Sequence, residues 1–164
     1  DSYLADLHQH LQTAFGWWVY HLHEFRIGGT VYGIDDGEGW GEPPIDETTV
    51  TLRRVAPVGS TFTYIYDFGD NWVHQAKVEA VEPADPRAAY PRCLAGRRTA
   101  PPEDVGGTWG YASFCEAIAD PKHPEHRAMK TWVSREFDPD YFAVENVNEA
   151  FIVWLRAARS RGLR

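Results

Sequence analysis

The sequence predicts an α+β fold: a central antiparallel sheet with a long hairpin, an N-terminal helix, and C-terminal helices packed on it. Three observations carry this. Apolar residues recur at three- and four-residue steps near both ends of the chain. They alternate with period two in the middle. The alternating runs are contiguous rather than interleaved with helical ones, which argues against a parallel sheet built from βαβ units. With 164 residues, 43% of them hydrophobic, the chain is long enough to bury one core. No repeat or linker divides it, so residues 1–164 are expected to form a single domain.

The elements follow in order. Leu4, Leu7, Leu11, Ala14 and Phe15 share one helical face over residues 3–15, and Gly16 can end the helix. His21, His23, Phe25 and Ile27 then alternate with Leu22, Glu24 and Arg26, which predicts a strand. Residues 33–47, GIDDGEGWGEPPIDE, combine Gly, Pro and acid and read as a loop. TTVTLRRVAPVGSTFTYIYDF predicts a strand, a turn near Pro57 to Gly59, and a second strand. GDN is a turn signal. Strands over 61–68 and 72–81 therefore form a hairpin with YIYDFGDNWVH at its tip.

Residues 83–102 are proline-rich and aperiodic. The excursion over 83–110 is expected to pack over the hairpin tip, because Tyr90, Trp109 and Tyr111 carry much apolar area. A helix over 111–120 turns Tyr111, Phe114, Cys115 and Ile118 inward. A second over 124–137 turns in Met129, Trp132 and Val133. A third, after Asp138-Pro139, buries Val147, Phe151, Trp154, Leu155 and Ala158.

Bulk properties narrow the function. The net charge of −8 gives no general attraction to phosphate backbones, so it does not support nucleic acid as a partner. Arg53-Arg54, Arg97-Arg98 and the tail arginines Arg156, Arg159, Arg161 and Arg164 read as solvated surface. Two cysteines, Cys93 and Cys115, are too few for a disulfide scaffold. No run of about 18 apolar residues and no signal-peptide pattern is present, so no membrane contact is expected and the location is expected to be cytoplasmic.

Two stretches carry chemistry. His21 and His23 share a strand face, and Asp67, Asp70 and His74 surround the hairpin turn. If the strands are neighbours, five ligand-type side chains converge. Carboxylate oxygens with imidazole nitrogens suit a divalent metal such as Zn, Mn or Mg. Each residue also has a plain structural role open to it: Asp67 can bind the amides of its own turn, and Asp70 is an ordinary turn residue. Asp67, or Glu79 further along the hairpin, can serve as a base. DFG at 67–69 is not the kinase triplet, since no glycine-rich loop or HRD loop accompanies it. The second stretch is PPEDVGGTWGY at 101–111. Glu103, Asp104, Trp109 and Tyr111, with Trp72 of the hairpin, are candidates for lining a ligand cleft. A rigid turn with Asp104 capping a helix, and a core role for Trp72, are the structural alternatives.

FGWWVYHLHEFRI, YIYDFGDNWVHQAKVE, YPRCLAGRRTAPPEDVGGTWGY and FDPDYFAVENVNEAF, in this order, resemble the Orf-three-like family of a root-inducing plasmid. The resemblance covers residues 3–152. It implies an α+β domain and an origin on plasmids or mobile elements, where some members carry the label TnpR. It implies no reaction. A recombinase needs an activated nucleophile among clustered arginines, and the sequence shows none. Three readings stay open: an accessory or binding domain with a metal in a His/Asp aromatic cleft, a metal-dependent hydrolase acting on phosphodiesters, and a metal-free module that takes a peptide or protein partner.

Overall fold

A computed structural model describes residues 2–37, 42–134 and 136–160. Arg161 and Arg164 of the expected basic tail lie outside the described residues, as do residues 38–41 of the expected loop. The architecture is α+β, and the backbone clusters into two compact units. One comprises residues 1–12 and 18–91, the other residues 13–17 and 92–164.

The first unit holds most of helix α1 (Leu4–Phe15) and strands β1 (His23–Ile27), β2 (Thr30–Gly33), β3 (Ile45–Asp46), β4 (Thr61–Tyr66) and β5 (Trp72–Lys77). The sheet order is β3-β2-β1-β4-β5. All neighbours are antiparallel except β2 and β3, which run parallel, so the expected antiparallel sheet is corrected at one edge. The single strand expected after His21 is two. Gly28 and Gly29 adopt φ of 59° and 83°, which a two-residue hairpin turn requires and glycine supplies without strain. The strand expected after residue 47 is absent. A 3₁₀ turn (Glu47–Thr49) and the one-turn helix α2 (Leu52–Val55) replace it. Asp46 accepts from the Thr48 amide at 2.9 Å and the Thr48 hydroxyl at 2.7 Å, while the Thr49 hydroxyl donates to the Asp46 carbonyl. These local bonds compete with a sheet ladder and win.

The β4–β5 hairpin closes at Tyr66 opposite Trp72. Asp67 and Asn71 take φ of 55°, a conformation that Asp and Asn tolerate better than most residues. One face of the sheet carries His23, Phe25 and Ile27 from β1, Phe62, Tyr64 and Tyr66 from β4, and Trp72 from β5, all buried. Helix α1 docks there through Leu4, His8 and Gln12 rather than the expected Leu7, Leu11 and Ala14, which are only half-buried. The junction is polar. Tyr64 accepts from Gln12 Nε2 at 3.0 Å, and its hydroxyl lies 2.8 Å from His8 Nδ1. A neutral His8 with its own proton on Nε2 can accept a hydrogen bond from the Tyr64 hydroxyl at Nδ1.

The second unit contains α3 (Gly107–Ala119), α4 (His126–Val133) and α5 (Val144–Ser160). Phe114 is its hub, buried and within ring contact of Tyr111, Trp132 and Phe137. Phe151 is the buried anchor of α5; Trp154, Leu155 and Ala158 are only half-buried, and Trp132 is exposed. In the irregular segment before α3, Asn148 grips the backbone of Cys93 from both sides, accepting its N–H at 2.8 Å and donating to its carbonyl at 3.0 Å. Trp17 donates to the Pro101 carbonyl at 2.9 Å. Tyr90 and Trp109, expected to be packed away, are exposed, Trp109 to 86%. No helix among the described residues is long and apolar enough to cross a membrane.

Two stability measurements test this packing. Burial, with the neighbouring His23 adding to it, lowers the pKa of His8 to about 3, and burial lowers those of His10 and His74 too. Below pH 6.5 the unfolded chain takes a proton that folded His8 refuses, so stability falls as pH falls from 6.5 towards 3. At about 1.4 kcal/mol per unit, His8 alone removes roughly 2 kcal/mol between pH 7 and pH 5, and His8→Gln flattens the urea-midpoint profile by that share. In α3, Gly110→Ala gains about 1 kcal/mol from helix propensity alone. Its Cβ, however, would stand 2.0 Å from the Val105 carbonyl oxygen. Chemical denaturation is therefore expected to show a net loss on the order of 1–3 kcal/mol.

Candidate functional site

The polar junction extends sideways from His8. The rings of His8 and His23 stack with centroids 3.4 Å apart and planes 2° from parallel. His23 Nε2 lies 2.8 Å from Glu47 Oε2, and both side chains are almost fully buried. A buried carboxylate without such a partner would be strongly destabilising, so His23 and Glu47 hold each other in place. The same junction fixes the loop between α1 and β1. Gln12 Oε1 accepts from the Val19 amide at 3.1 Å, and the Tyr66 hydroxyl accepts from the Tyr20 amide at 3.3 Å. Val19 has φ of 61°, a strained value for a β-branched residue.

That loop delivers His21. It precedes β1, which begins at His23, and its ring meets Tyr66 edge-on at 5.8 Å. Its Nε2 lies 3.7 Å from Asp67 Oδ2, with side-chain exposures of 29% and 10%. The separation is too long for a hydrogen bond. It is close to the ~3.4 Å between two ligands that each stand about 2.1 Å from one tetrahedral ion. Asp67 is oriented independently: its Oδ1 accepts from the Gly69 amide at 2.9 Å and the Asp70 amide at 3.2 Å, and the Asp67 amide donates to the Leu22 carbonyl. Asp67 thus fills the turn role open to it and still presents Oδ2 to His21.

The remaining sequence candidates separate. His23 is engaged with Glu47. His74 stands on β5 opposite Tyr64, ring centroids 5.6 Å apart, and burial lowers its pKa, which favours the neutral form a metal needs. Asp70 is half-buried within the turn. Glu79 lies beyond the end of β5 and is exposed. Trp72 is buried in the first unit, in register with Tyr66. Glu103, Asp104, Trp109 and Tyr111 belong to the second unit. There Tyr111 packs on Phe114, and Asp104, at φ of 58°, helps line a cleft of about 270 Å³. His8, Gln12, Glu47 and Tyr64 were not singled out from the sequence. The four-residue spacing of Leu4, His8 and Gln12 was the available signal for the first two, and the alternation Phe62, Tyr64, Tyr66 for the last. Glu47 had none.

Comparison with known proteins places this geometry. A family model described as Plasmid pRiA4b ORF-3-like protein matches residues 1–146. The uncharacterized protein y4hQ of Sinorhizobium fredii (strain NBRC 101917 / NGR234) is 41% identical over 165 residues, covering 96% of this chain and 84% of that protein. Among solved structures, the protein of unknown function MM3350 from Methanosarcina mazei Go1 is similar with a TM-score of 0.74 at 33% identity, over 89% of this chain and 83% of that one. The four sequence motifs, the α+β architecture and these matches agree, and the chain belongs to the plasmid pRiA4b ORF-3-like family.

Proposed function

We propose that the protein is an accessory binding domain of plasmid or mobile-element origin, acting in the cytoplasm, whose His21–Asp67 pair takes a divalent cation. The observation that carries this reading is the 3.7 Å spacing of His21 Nε2 and Asp67 Oδ2, with Asp67 already oriented by two amides through its other oxygen. Ligating carboxylates are commonly held in this way by partners outside the metal's own shell. An imidazole in the pair favours Zn or Mn over Mg, which prefers oxygen alone. Water or a bound ligand would fill the other positions. Against a hydrolytic step, Glu79, one proposed base, is exposed beyond the end of β5.

Thermal melting of tag-free protein with and without Zn or Mn tests this. One ion at a hundredfold excess over its dissociation constant adds about 2.7 kcal/mol, or roughly 5–10 °C for a chain of this size. His21→Ala, at a half-exposed position, is expected to fold normally and lose that rise. A parent protein whose melting ignores both metals would remove the proposal.

Asp67→Asn separates the two roles of that residue. Asparagine tolerates the positive φ but accepts the Gly69 and Asp70 amides without charge. The metal-free variant is expected to lose about 1–3 kcal/mol of stability, and the metal response with it. A variant as stable as the parent would show that the turn does not depend on the carboxylate.

A further inference from the structure

The outer edge of the first unit's sheet is a surface that the metal reading does not use. β5 is the last strand there, and it pairs with β4 residue for residue, from Trp72 opposite Tyr66 to Lys77 opposite Thr61. The end of this ladder shows which backbone groups face β4. The Val78 amide donates to the Ser60 carbonyl at 3.0 Å, and the Val78 carbonyl accepts from the Gly59 amide at 2.8 Å. Hydrogen-bonded and non-hydrogen-bonded pairs alternate along an antiparallel ladder. Trp72, His74 and Ala76 therefore face β4 as Val78 does, and Val73, Gln75 and Lys77 turn their amides and carbonyls outward. Among the described residues, no hydrogen bond is made by the backbone of these three.

Sheet edges are usually blunted by shortness, proline, bulges or charge. β3, at the opposite margin, is two residues long. β5 is six residues long, has no proline and no bulge, and leaves Val73 52% exposed. Lys77 is its one charged residue apart from His74. The order of the outward residues decides what can pair with them. A second β5, antiparallel about a twofold axis at Gln75, would set Val73 opposite Lys77, Gln75 opposite Gln75, and Lys77 opposite Val73. Outward groups meet outward groups at every pair, each exchanging two hydrogen bonds. No like charges oppose one another, and the lysine stem covers the exposed valine. A register displaced by two residues leaves one outward residue of each strand unmatched.

We propose that two copies of this chain associate through β5, edge to edge and antiparallel about Gln75, joining their sheets into one. The contact is isologous, so it uses both open edges at once and closes as a dimer. A seam of six residues per copy is well short of the ~20–30 residues a side of a standard interface. The dimer therefore forms and dissociates with concentration, with a Kd on the order of tens of micromolar.

Sedimentation velocity from about 5 μM to about 1 mM tests the proposal, with hydrogen exchange as a second readout. The average mass is expected to rise from one chain towards two. The amides of Val73, Gln75 and Lys77 are expected to gain protection as it does, while those of Trp72, His74 and Ala76 are protected throughout. Val73→Glu sets a carboxylate opposite Lys77 on both sides of the axis and is expected to tighten the dimer about threefold to tenfold. It does so although it adds to the general repulsion between copies of net charge −8, which marks the gain as local. Val73→Lys sets like charges there and is expected to weaken the dimer by a similar factor. Both variants alter an exposed side chain and leave the ladder with β4 intact. A chain that stays monomeric to about 1 mM overturns the proposal and leaves the edge to a strand from another polypeptide. A dimer that ignores both substitutions, or that forms without protecting the three outward amides, overturns it as well.

Discussion

The phenolic oxygen of Tyr64 is the point on which the first unit turns. It is fully buried, and burial pushes its pKa up, so it stays protonated and must find partners. It finds them in His8 and Gln12, one turn apart on α1. That pairing sets both the rotation of the helix and its height over the sheet, more sharply than apolar contact alone can. The consequences spread outward. His8, once placed, stacks on His23, and His23 engages Glu47 of the 3₁₀ turn. Gln12, once placed, turns its carbonyl to Val19, and Tyr66 holds Tyr20 beside it. His21 therefore reaches Asp67 from a loop whose two preceding amides are tied to the helix–sheet junction. A satisfied buried network is rigid, and that rigidity extends to the loop that carries His21.

Much of this fold was legible in the sequence, and the limits have physical causes. The β4–β5 hairpin was readable because alternation and a GDN turn agree. The first helix was readable as a helix but not as a face: leucines at three and four suggested the wrong stripe, since the sheet surface beneath carries Tyr64 and Tyr66 and rewards hydrogen bonds. The segment after Glu47 looked like a strand because its threonines and valines favour one; Asp46 redirects it by capping a tight turn. His21 and His23 alternate perfectly, yet β1 begins only at the second of them. Glu47 illustrates the hardest case. A glutamate in a polar run gives no hint that it will be buried, because the reason lies 24 residues away at His23.

Membership in the family locates the fold without specifying chemistry, since one architecture can host unrelated sites. The chain's own geometry is therefore the guide. Its titratable groups sort by depth: His8, His23 and Glu47 are buried, whereas His21 is partly exposed. Depth assigns the first group to holding the fold.

The sheet's parallel edge strand has a consequence for how the protein behaves among copies of itself. β3 is two residues long and gives way at once to a turn capped by Asp46. An exposed margin of unpaired amides and carbonyls is what lets one sheet recruit another and grow into fibres. Two residues offer too few such groups to hold an incoming strand in register, and the turn that follows ends the extended backbone. On that side, sheet growth ends where the strand does.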